Sequence, residues 1–340
     1  MAAAKGGSKS KIPQVGWFEA RPAPVVLISG PEAFLADRAA RTIRDQLKAA
    51  VPETEVHDIE ASGYASGEIF TIASPSLFAE PRLIRVDGVE KCSDAFITDM
   101  KRYLEQPAED TTLVLRHGGG QRGKAVLNQV RGLADAIEIP CLEIKKDQDR
   151  YDFAMGEFHR LGAQATPGAA RQLVLAYAGG LGELAGACAQ IVETAGARIT
   201  EDDVERATEG RVEASAFKVA DAATAGKAAD ALVLLRQALS TGTDPIPMLA
   251  ALNFKLRGIA RAYGARGSAG QLAKDLGMAP WQAERAVKDG RAWSEEHLAA
   301  AIDLAAETEW LLKGGSRDPE YALERFVLFV ARRGREPRRA

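Results

Sequence analysis

The pattern of apolar residues changes once along this sequence, near residue 142, and this change limits the possible folds. Before it, short runs rich in β-branched residues alternate with helical patterns. After it, helical patterns alone continue. Alternating strands and helices predict a mostly parallel sheet covered on both faces, so we expect an α/β domain over residues 22–142, followed by all-helical domains.

Individual elements follow from the same patterns. Strands are predicted at the following positions: 24–29, 55–59, 82–87, 111–116 and 136–139. Helices between them are predicted at 32–50, 66–73, 93–105 and 123–133. Residues 1–21 lack the apolar core of a secretory signal, and we predict a disordered tail there.

The helical part divides by its capping signals. Helices predicted at 147–161, 167–177, 181–194 and from 200 onward form a small bundle, the second domain, over residues 143–211. Seven further helices are predicted in a third domain over 212–333, at 214–224, 227–239, 245–263, 269–276, 280–288, 294–312 and 319–332. Residues 334–340 form a basic tail, which we expect to be solvated.

Composition excludes several classes of protein. The net charge of −3 over 340 residues gives no overall basic field for tight nucleic-acid binding. The three cysteines and four histidines show no metal-binding spacing. No run of about 18 apolar residues occurs, so a soluble, cytoplasmic protein is expected.

The segment between the second predicted helix and the third predicted strand is unusual. Pro75 should end the helix, which leaves Leu77 and Phe78 on a short connection. Two adjacent large apolar residues there are either tucked under the domain or held out as an anchor for a partner. The spacing alone favours the tucked position.

The first strand and its following turn stand where a P-loop would bind phosphate. The motif G-x-x-x-x-G-K-[ST] requires a second glycine, a lysine and a hydroxyl, but those positions hold Leu35, Ala36 and Asp37. The strand ending at Arg116 also lacks the acidic magnesium partner. The sequence therefore has the arrangement of an ATPase without its catalytic parts.

Four segments make the chain resemble the delta-subunit family of the bacterial DNA polymerase III clamp loader. They are residues 27–35 (LISGPEAFL), 76–84 (SLFAEPRLI), 244–249 (DPIPML) and 309–324 (EWLLKGGSRDPEYALE). The resemblance covers nearly all of the chain after the N-terminal tail. It implies an AAA+-type sheet domain, a helical lid and a C-terminal helical collar that packs into a five-membered ring of loader subunits.

The same resemblance implies a non-catalytic role. Delta subunits do not hydrolyse ATP; they bind the sliding clamp and hold one of its interfaces open. Consistent with this, Ala185 stands where active relatives carry a phosphate-sensing arginine, and no Ser-Arg-Cys motif occurs near Cys141. The implied partners are the clamp, the ATPase subunits and delta prime through the collar, and primed DNA. No catalytic residue, cofactor or metal is expected.

The family's clamp-binding element corresponds to Ser76, Leu77 and Phe78, with Leu77 and Phe78 as an apolar plug. Some relatives carry another large apolar residue where this chain has Pro75. The resemblance thus reverses the preference from spacing and predicts that the plug is exposed.

Two other functions remain open on the residues alone: an ATP-using enzyme with a degenerate P-loop, and a stand-alone helical nucleic-acid-binding protein. Arg257 and Arg261 lie on one helix face and could meet phosphates, although a solvated face is the simpler interpretation. Candidate apolar positions in the collar, most of them expected in its core, are Phe217, Leu232, Leu234, Leu235, Leu249, Leu252, Phe254, Trp310, Leu311, Phe326 and Leu328.

Overall fold

A computed structural model describes residues 12–74, 80–177, 179–209 and 211–335. The chain divides into two compact units, the first ending at Ile144 and the second beginning at Lys145. Each unit is an independent body with its own core.

A parallel sheet forms the centre of the first unit. Its strands are β1 (Val25–Ser29), β2 (Glu55–Glu60), β3 (Arg82–Asp87), β4 (Thr111–His117) and β5 (Ala136–Pro140). Their spatial order is β2-β3-β4-β1-β5, and every paired strand is parallel. The predicted strands are confirmed to within a residue or two.

Strand composition follows position in the sheet. β1 lies between β4 and β5, with Leu27 paired to Leu115 and to Glu138, and its first four residues are buried. Both faces of such a strand are covered, so it reads as a continuous apolar run. β2 is at the edge and buries only Ile59 fully. The loops that follow the strands therefore meet at one edge of the sheet, the edge at which open parallel α/β sheets bind ligands.

Helices cover this sheet. They are α1 (Ala33–Ala50), α2 (Glu68–Ile72), α3 (Asp94–Tyr103) and α4 (Lys124–Val130). α1 buries Leu35, Ala39 and Ile43, which are spaced four apart on one face. The Ser93 hydroxyl accepts a hydrogen bond from the Phe96 N–H at 3.1 Å and caps α3.

The predicted N-terminal tail needs correction. Residues 13–15 lie against β5: the Val15 N–H donates to the Glu138 carbonyl and the Glu138 N–H donates to the Pro13 carbonyl, both at 2.9 Å. The Ala20 carbonyl accepts a hydrogen bond from the Gln46 side chain of α1. Ile12 and Val15 are buried. The prediction of disorder over 1–21 is therefore wrong for residues 12–21, because the open edge of β5 supplies backbone partners. Residues 1–11 lie outside the described ranges.

The second unit is mainly helical, as predicted. Its helices are α5 (Asp147–Arg160), α6 (Pro167–Ala176), α7 (Leu181–Ala195), α8 (Glu201–Ala207), α9 (Val212–Thr224), α10 (Ala228–Ser240), α11 (Pro245–Ala262), α12 (Ala269–Leu276), α13 (Pro280–Gly290), α14 (Glu295–Trp310) and α15 (Pro319–Ala331). The predicted caps are present. The Thr166 hydroxyl accepts from the Ala169 N–H, and Thr200 with Asp203 forms a capping box.

One prediction for this unit is wrong. Strands were expected to be absent after residue 147, yet β6 (Gln164–Ala165) and β7 (Arg198–Ile199) form a short parallel pair. Two residues per strand are too few for an alternating pattern. The further division of the unit into a lid over 143–211 and a collar over 212–333 stays a prediction.

The collar candidates separate into core and surface. Leu235, Leu249, Leu252 and Phe326 are buried in one cluster with Val219, Ala301 and Leu323. Phe254 and Trp310 are 48% and 67% exposed. Gly334 and Arg335 of the predicted basic tail are described, and residues 336–340 lie outside the described ranges. In the described part of the chain, every helix is too short or too polar to cross a bilayer.

Candidate functional site

The residues predicted to contact the clamp are Pro75, Ser76, Leu77 and Phe78, and all four lie outside the described residues. Their two flanks are described. The chain leaves α2 at Ser74 and returns at Glu80, just before β3. These flanks fix where the segment is anchored on the first unit.

The helix that leads into the segment is held at its start. Asp99 accepts hydrogen bonds from the Gly67 N–H at 2.7 Å and from the Tyr64 hydroxyl at 3.1 Å, and that hydroxyl accepts from the Ile69 N–H at 3.1 Å. Burial, with the nearby Asp99 carboxylate, raises the pKa of Tyr64 to about 12, so the phenol keeps its proton at neutral pH. A helix of five residues is too short to be stable alone, so these bonds hold it in place.

Apolar contacts hold the other side of the same helix. Ile69 is fully buried, and the Phe70 ring meets Tyr103 edge-on with centroids 6.3 Å apart. The Arg102 guanidinium lies 5.4 Å from the centre of the Phe70 ring. α2 is thus packed onto α3 up to the last turn before Ser74.

Arg82, the first residue of β3, joins the two flanks. Its guanidinium Nη1 donates to the carbonyl oxygen of Ser74, and its Nε donates to the Glu55 carboxylate at 3.3 Å. The Arg82 side chain is 8% exposed. Hydrogen bonds with His57 and then with Arg82 hold the pKa of the Glu55 carboxyl below its ordinary value. A buried, charge-assisted contact therefore closes the base of the segment.

Backbone bonds secure the return flank as well. The Glu55 N–H donates to the Pro81 carbonyl at 3.0 Å, and the Arg82 N–H donates to the Asp110 carbonyl at 2.9 Å. The tie between Arg82 and Ser74 was not predicted from the sequence. One indication of it was present in the sequence: Arg82 begins a strand that lies between two others, and a buried charge there needs a partner.

The turn after β1 is closed by the protein itself. Gly30 has φ +128°, and a Cβ placed there would lie 2.2 Å from the Cys141 carbonyl oxygen. The Glu32 carboxylate accepts from the Phe34 N–H at 3.3 Å and caps α1. A P-loop offers its helix N-terminus to phosphate, whereas here a carboxylate of the chain occupies it.

The end of β4 carries a cation where an ATPase would hold an acid for magnesium. Arg116 Nη1 lies 2.6 Å from an oxygen of Asp37 and 3.2 Å from one of Asp87. Asp37 is the residue that stands at the hydroxyl position of the P-loop pattern. The three side chains form an internal ion-pair bridge between α1, β3 and β4.

Two other kinds of binding site concern the described ranges, a metal site and a phosphate-sensing position. No group of three or more His, Cys, Asp and Glu side chains there is arranged to hold a metal ion. Ala185, at the position of the phosphate-sensing arginine of active relatives, is buried within α7. The parallel sheet and the closed turn define an α/β domain in which the chain's own residues fill the corner where a P-loop would bind phosphate.

Comparisons with known proteins support the resemblance to delta subunits. Residues 213–330 match the model of the DNA polymerase III delta subunit, C-terminal domain. The DNA polymerase III subunit delta of Bacillus subtilis is 23% identical over 332 residues, which is 91% of this chain and 93% of that protein. The sequence resemblance to the delta subunits of DNA polymerase III is confirmed.

The solved structure of a delta protein supports the fold. The Bacillus subtilis DNA clamp loader delta protein superposes with a TM-score of 0.53 at 21% identity, covering 91% of this chain and 96% of that one. The RuvB Holliday junction branch migration motor of Thermotoga maritima gives a TM-score of 0.36 at 14% identity, covering 75% and 74% of the two chains. The predicted fold class, a mostly parallel α/β sheet domain followed by a helical region, is confirmed.

Proposed function

We propose that this chain is the delta subunit of a DNA polymerase III clamp loader, which binds the sliding clamp through residues 75–78 and holds its ring open. The observation that carries the proposal is the closed base of this segment, where Arg82 joins Ser74 to Glu55. A segment that holds a ring open must itself be fixed to a rigid part of the protein. The contacts of α2 and β3 supply such a mount.

The energy of the anchor comes from apolar burial. Moving an exposed leucine and an exposed phenylalanine into a pocket contributes about 1.5 to 3 kcal/mol each. Residues with that contribution are the hot spots of ordinary interfaces. Leu77 and Phe78 are therefore assigned as the plug, with Pro75 and Ser76 shaping its approach.

Holding a ring open requires more than affinity. A ligand that binds closed and open clamps equally shifts neither population. The plug must fit the open form better, and its rigid mount, strand β3 behind it, keeps the clamp pocket in that form. No intrinsic enzymatic activity is assigned to the chain, which acts as a non-catalytic subunit of the polymerase holoenzyme.

ATP acts through neighbouring subunits in this proposal. The carboxylate cap at Glu32 and the Arg116 bridge occupy the corner that nucleotide would need. The ATPase subunits and delta prime would join this chain through its helical domains. Exposed apolar residues there, available for such contacts, are Val233, Ile246, Trp310 and Tyr321.

Clamp capture tests the proposal. Immobilised clamp is incubated with the wild-type chain and with Leu77→Ala/Phe78→Ala, and retained protein is measured with and without the ATP-driven partner subunits. We expect the variant to lose at least tenfold in affinity, since two hot-spot side chains are removed. Undiminished capture by a folded variant would overturn the proposal.

A matched control is available in the same unit. Phe18 and Leu142 are 53% and 48% exposed, and Phe18→Ala/Leu142→Ala removes the same atoms elsewhere on the surface. This control should capture the clamp like the wild type. Equal losses in both variants would indicate a general effect of apolar surface and would count against a specific plug.

A further inference from the structure

The second unit contains an open cavity between helices α6, α9 and α13, and the turn after α15 reaches it with Arg333. Its volume is about 840 Å³. Small-molecule pockets measure about 300 to 1,000 Å³, so the cavity has the size of a small-molecule site. The clamp-binding segment and the Arg116 bridge belong to the first unit and take no part in it.

Part of the charge on the cavity wall is balanced within the protein. Five lining residues in the described ranges are Lys or Arg and three are Asp or Glu. Arg285 Nη2 and Lys255 Nζ lie 2.9 Å and 2.6 Å from the same Asp221 oxygen, and Arg285 Nε lies 3.7 Å from Asp289. Lys218 pairs with a glutamate of α8. These side chains leave little charge for a ligand.

The other cations of the lining are unpaired. They are Arg171 on α6, Lys288 on α13 and Arg333 after α15, and within the described ranges none of them forms an ion pair. Glu284 is the one described lining acid outside the pairs above, and it is exposed. Three unpaired cations against one unpaired acid leave two positive charges in excess, so the cavity favours an anion.

Buried donors on the same wall indicate what the anion must supply. Arg171 Nε, Arg333 Nε and Trp281 Nε1 are buried, and no described residue accepts a hydrogen bond from them. An N–H that is buried without an acceptor destabilises the fold, and native structures contain few of them. Three such donors on residues that line one cavity fit a ligand rich in acceptor oxygens.

The two arginines suit phosphoryl groups in particular. A guanidinium uses its Nε–H and a terminal N–H as a fork that binds two oxygens of one phosphate. Both Nε atoms are without a bond in the described part of the chain, so each fork is available. The Arg171 guanidinium also lies 5.7 Å from the centre of the Trp281 ring, which places a fork and the indole N–H on neighbouring side chains.

We propose that this cavity binds a compact polyphosphate, with Arg171 and Arg333 on its phosphoryl oxygens and with Lys288 and the Trp281 N–H as further donors. The cations come from three separate elements, and two or more linked phosphoryl groups reach more of them than a single phosphate or sulfate does. Free pyrophosphate and a nucleoside triphosphate share this chemistry. The inference goes beyond clamp binding and does not depend on it.

Calorimetric titration of the full chain with sodium pyrophosphate tests the proposal, at low ionic strength and without magnesium, which would itself bind the ligand. We expect saturable binding. Arg171→Gln/Arg333→Gln should bind at least about tenfold more weakly, since two charge-assisted contacts are lost, and the exposed Lys288→Gln about threefold more weakly. Sulfate should bind at least about tenfold more weakly than pyrophosphate, because it meets fewer donors.

A pair of tryptophan variants tests the indole donor. Trp281→Phe removes the buried N–H at the cavity and should weaken pyrophosphate binding about threefold or more. Trp293 also has a buried Nε1 without a partner in the described ranges, but it lies outside the cavity lining. Trp293→Phe should therefore bind pyrophosphate like the wild type, and equal losses in the two variants would count against the site.

The matched control for the charges is Arg21→Gln/Arg41→Gln, which makes the same change in net charge as the double arginine variant, on exposed residues of the first unit. It should bind like the wild type. Equal loss in this control, undiminished binding by folded Arg171→Gln/Arg333→Gln, no saturable binding by the wild type, or sulfate binding equal to that of pyrophosphate would each overturn the inference. Equal competition by a dT oligonucleotide at the same phosphate concentration would overturn it as well.

Two further arms separate the sources and the sites. Tighter binding of ATP than of inorganic tripolyphosphate would identify the ligand as a nucleotide, and equal or weaker binding would identify it as free polyphosphate. ATP binding at the turn after β1 would survive in Arg171→Gln/Arg333→Gln, which distinguishes that corner from this cavity. Leu77→Ala/Phe78→Ala should bind pyrophosphate normally, which separates this test from clamp capture.

Discussion

The Arg82 guanidinium donates a hydrogen bond to the carbonyl oxygen of Ser74, across the base of the segment that carries the proposed plug. The bond links the end of α2 to the start of β3, and Glu55 holds the same guanidinium from the edge strand. Arg82→Ala leaves this carbonyl without its charged donor. We expect weaker clamp capture, by about three- to tenfold, because the plug is less well preorganised.

Arg85→Ala is the control for this prediction. Arg85 lies on the same strand and also pairs with β2, through two 2.6 Å bonds to Asp58, but it is more exposed and lies farther from the segment. It should leave clamp capture unchanged. If Arg82→Ala captures the clamp normally while Leu77→Ala/Phe78→Ala does not, the Arg82 contact is not needed for clamp binding. The assignment of Leu77 and Phe78 as the plug would still stand.

Low pH should weaken the contact between Glu55 and Arg82, the arginine that joins the two flanks of the segment. Hydrogen bonds with His57 and Arg82 lower the pKa of Glu55 below 4.5, so its ionised form stabilises the fold. This contribution is complete above pH 4.5 and is lost as the pH falls through the lowered pKa. Glu55→Gln should therefore be less stable than the wild type at about pH 7, and the difference should shrink as the pH falls through the lowered pKa.

Thermal unfolding at a series of pH values measures this difference. Glu53→Gln is a suitable control, since Glu53 is exposed and only two residues away. The control should track the wild type at every pH. A constant gap between Glu55→Gln and the wild type from neutral to acid pH would contradict the assignment.

Gly30 and Glu32 define the closed nucleotide corner, and Gly30 can be tested directly. Gly30→Ala should be destabilised for two reasons. A φ of +128° is unfavourable for alanine, and the new Cβ would lie 2.2 Å from the Cys141 carbonyl oxygen. Gly119 has nearly the same φ, +130°, and no described heavy atom lies within 4 Å of a Cβ placed there. We expect about 1–2 kcal/mol for Gly119→Ala and at least about 1 kcal/mol more for Gly30→Ala.

Urea denaturation of the two variants provides the comparison. Equal shifts in midpoint would mean that residue 141 moves away at little cost and that the corner can open. Titration with ATP and magnesium gives an independent check on the wild type. Measurable binding would favour the degenerate ATPase over a subunit that depends on its neighbours for nucleotide.

Most of the fold was predictable because each element carries its own signal. Thr166 before Pro167 and the pair Thr200 and Asp203 mark helix starts, and the structure has these caps. The errors occur where the signal is not local. Residues 12–21 are ordered by the free edge of β5, and β6 and β7 are too short to show a period.

The candidate site was less predictable. The residue pattern marked Leu77 and Phe78 as unusual but favoured a buried position for them, and only the family resemblance predicts that they are exposed. The tie from Arg82 uses a backbone carbonyl, which no residue type encodes.

The reactivity of the three cysteine thiols indicates whether the cores of the two units are closed to solvent. Cys92, Cys141 and Cys188 are all buried, and burial raises the pKa of Cys141 to about 12 and that of Cys92 above its ordinary value. At pH 8 about one Cys141 thiol in ten thousand is ionised, and the thiolate is the reactive form. The native protein should therefore react slowly with iodoacetamide, and urea-unfolded protein rapidly.

Peptide mapping after labelling assigns the reaction to each thiol. Because the Cys141 backbone packs against Gly30, Gly30→Ala should speed alkylation of Cys141. Cys188 lies in α7 of the other unit and should keep its wild-type rate, which makes it an internal reference. Faster reaction at both positions would mean that the variant unfolds as a whole, and unchanged reaction at Cys141 would mean that the turn adapts without opening the core.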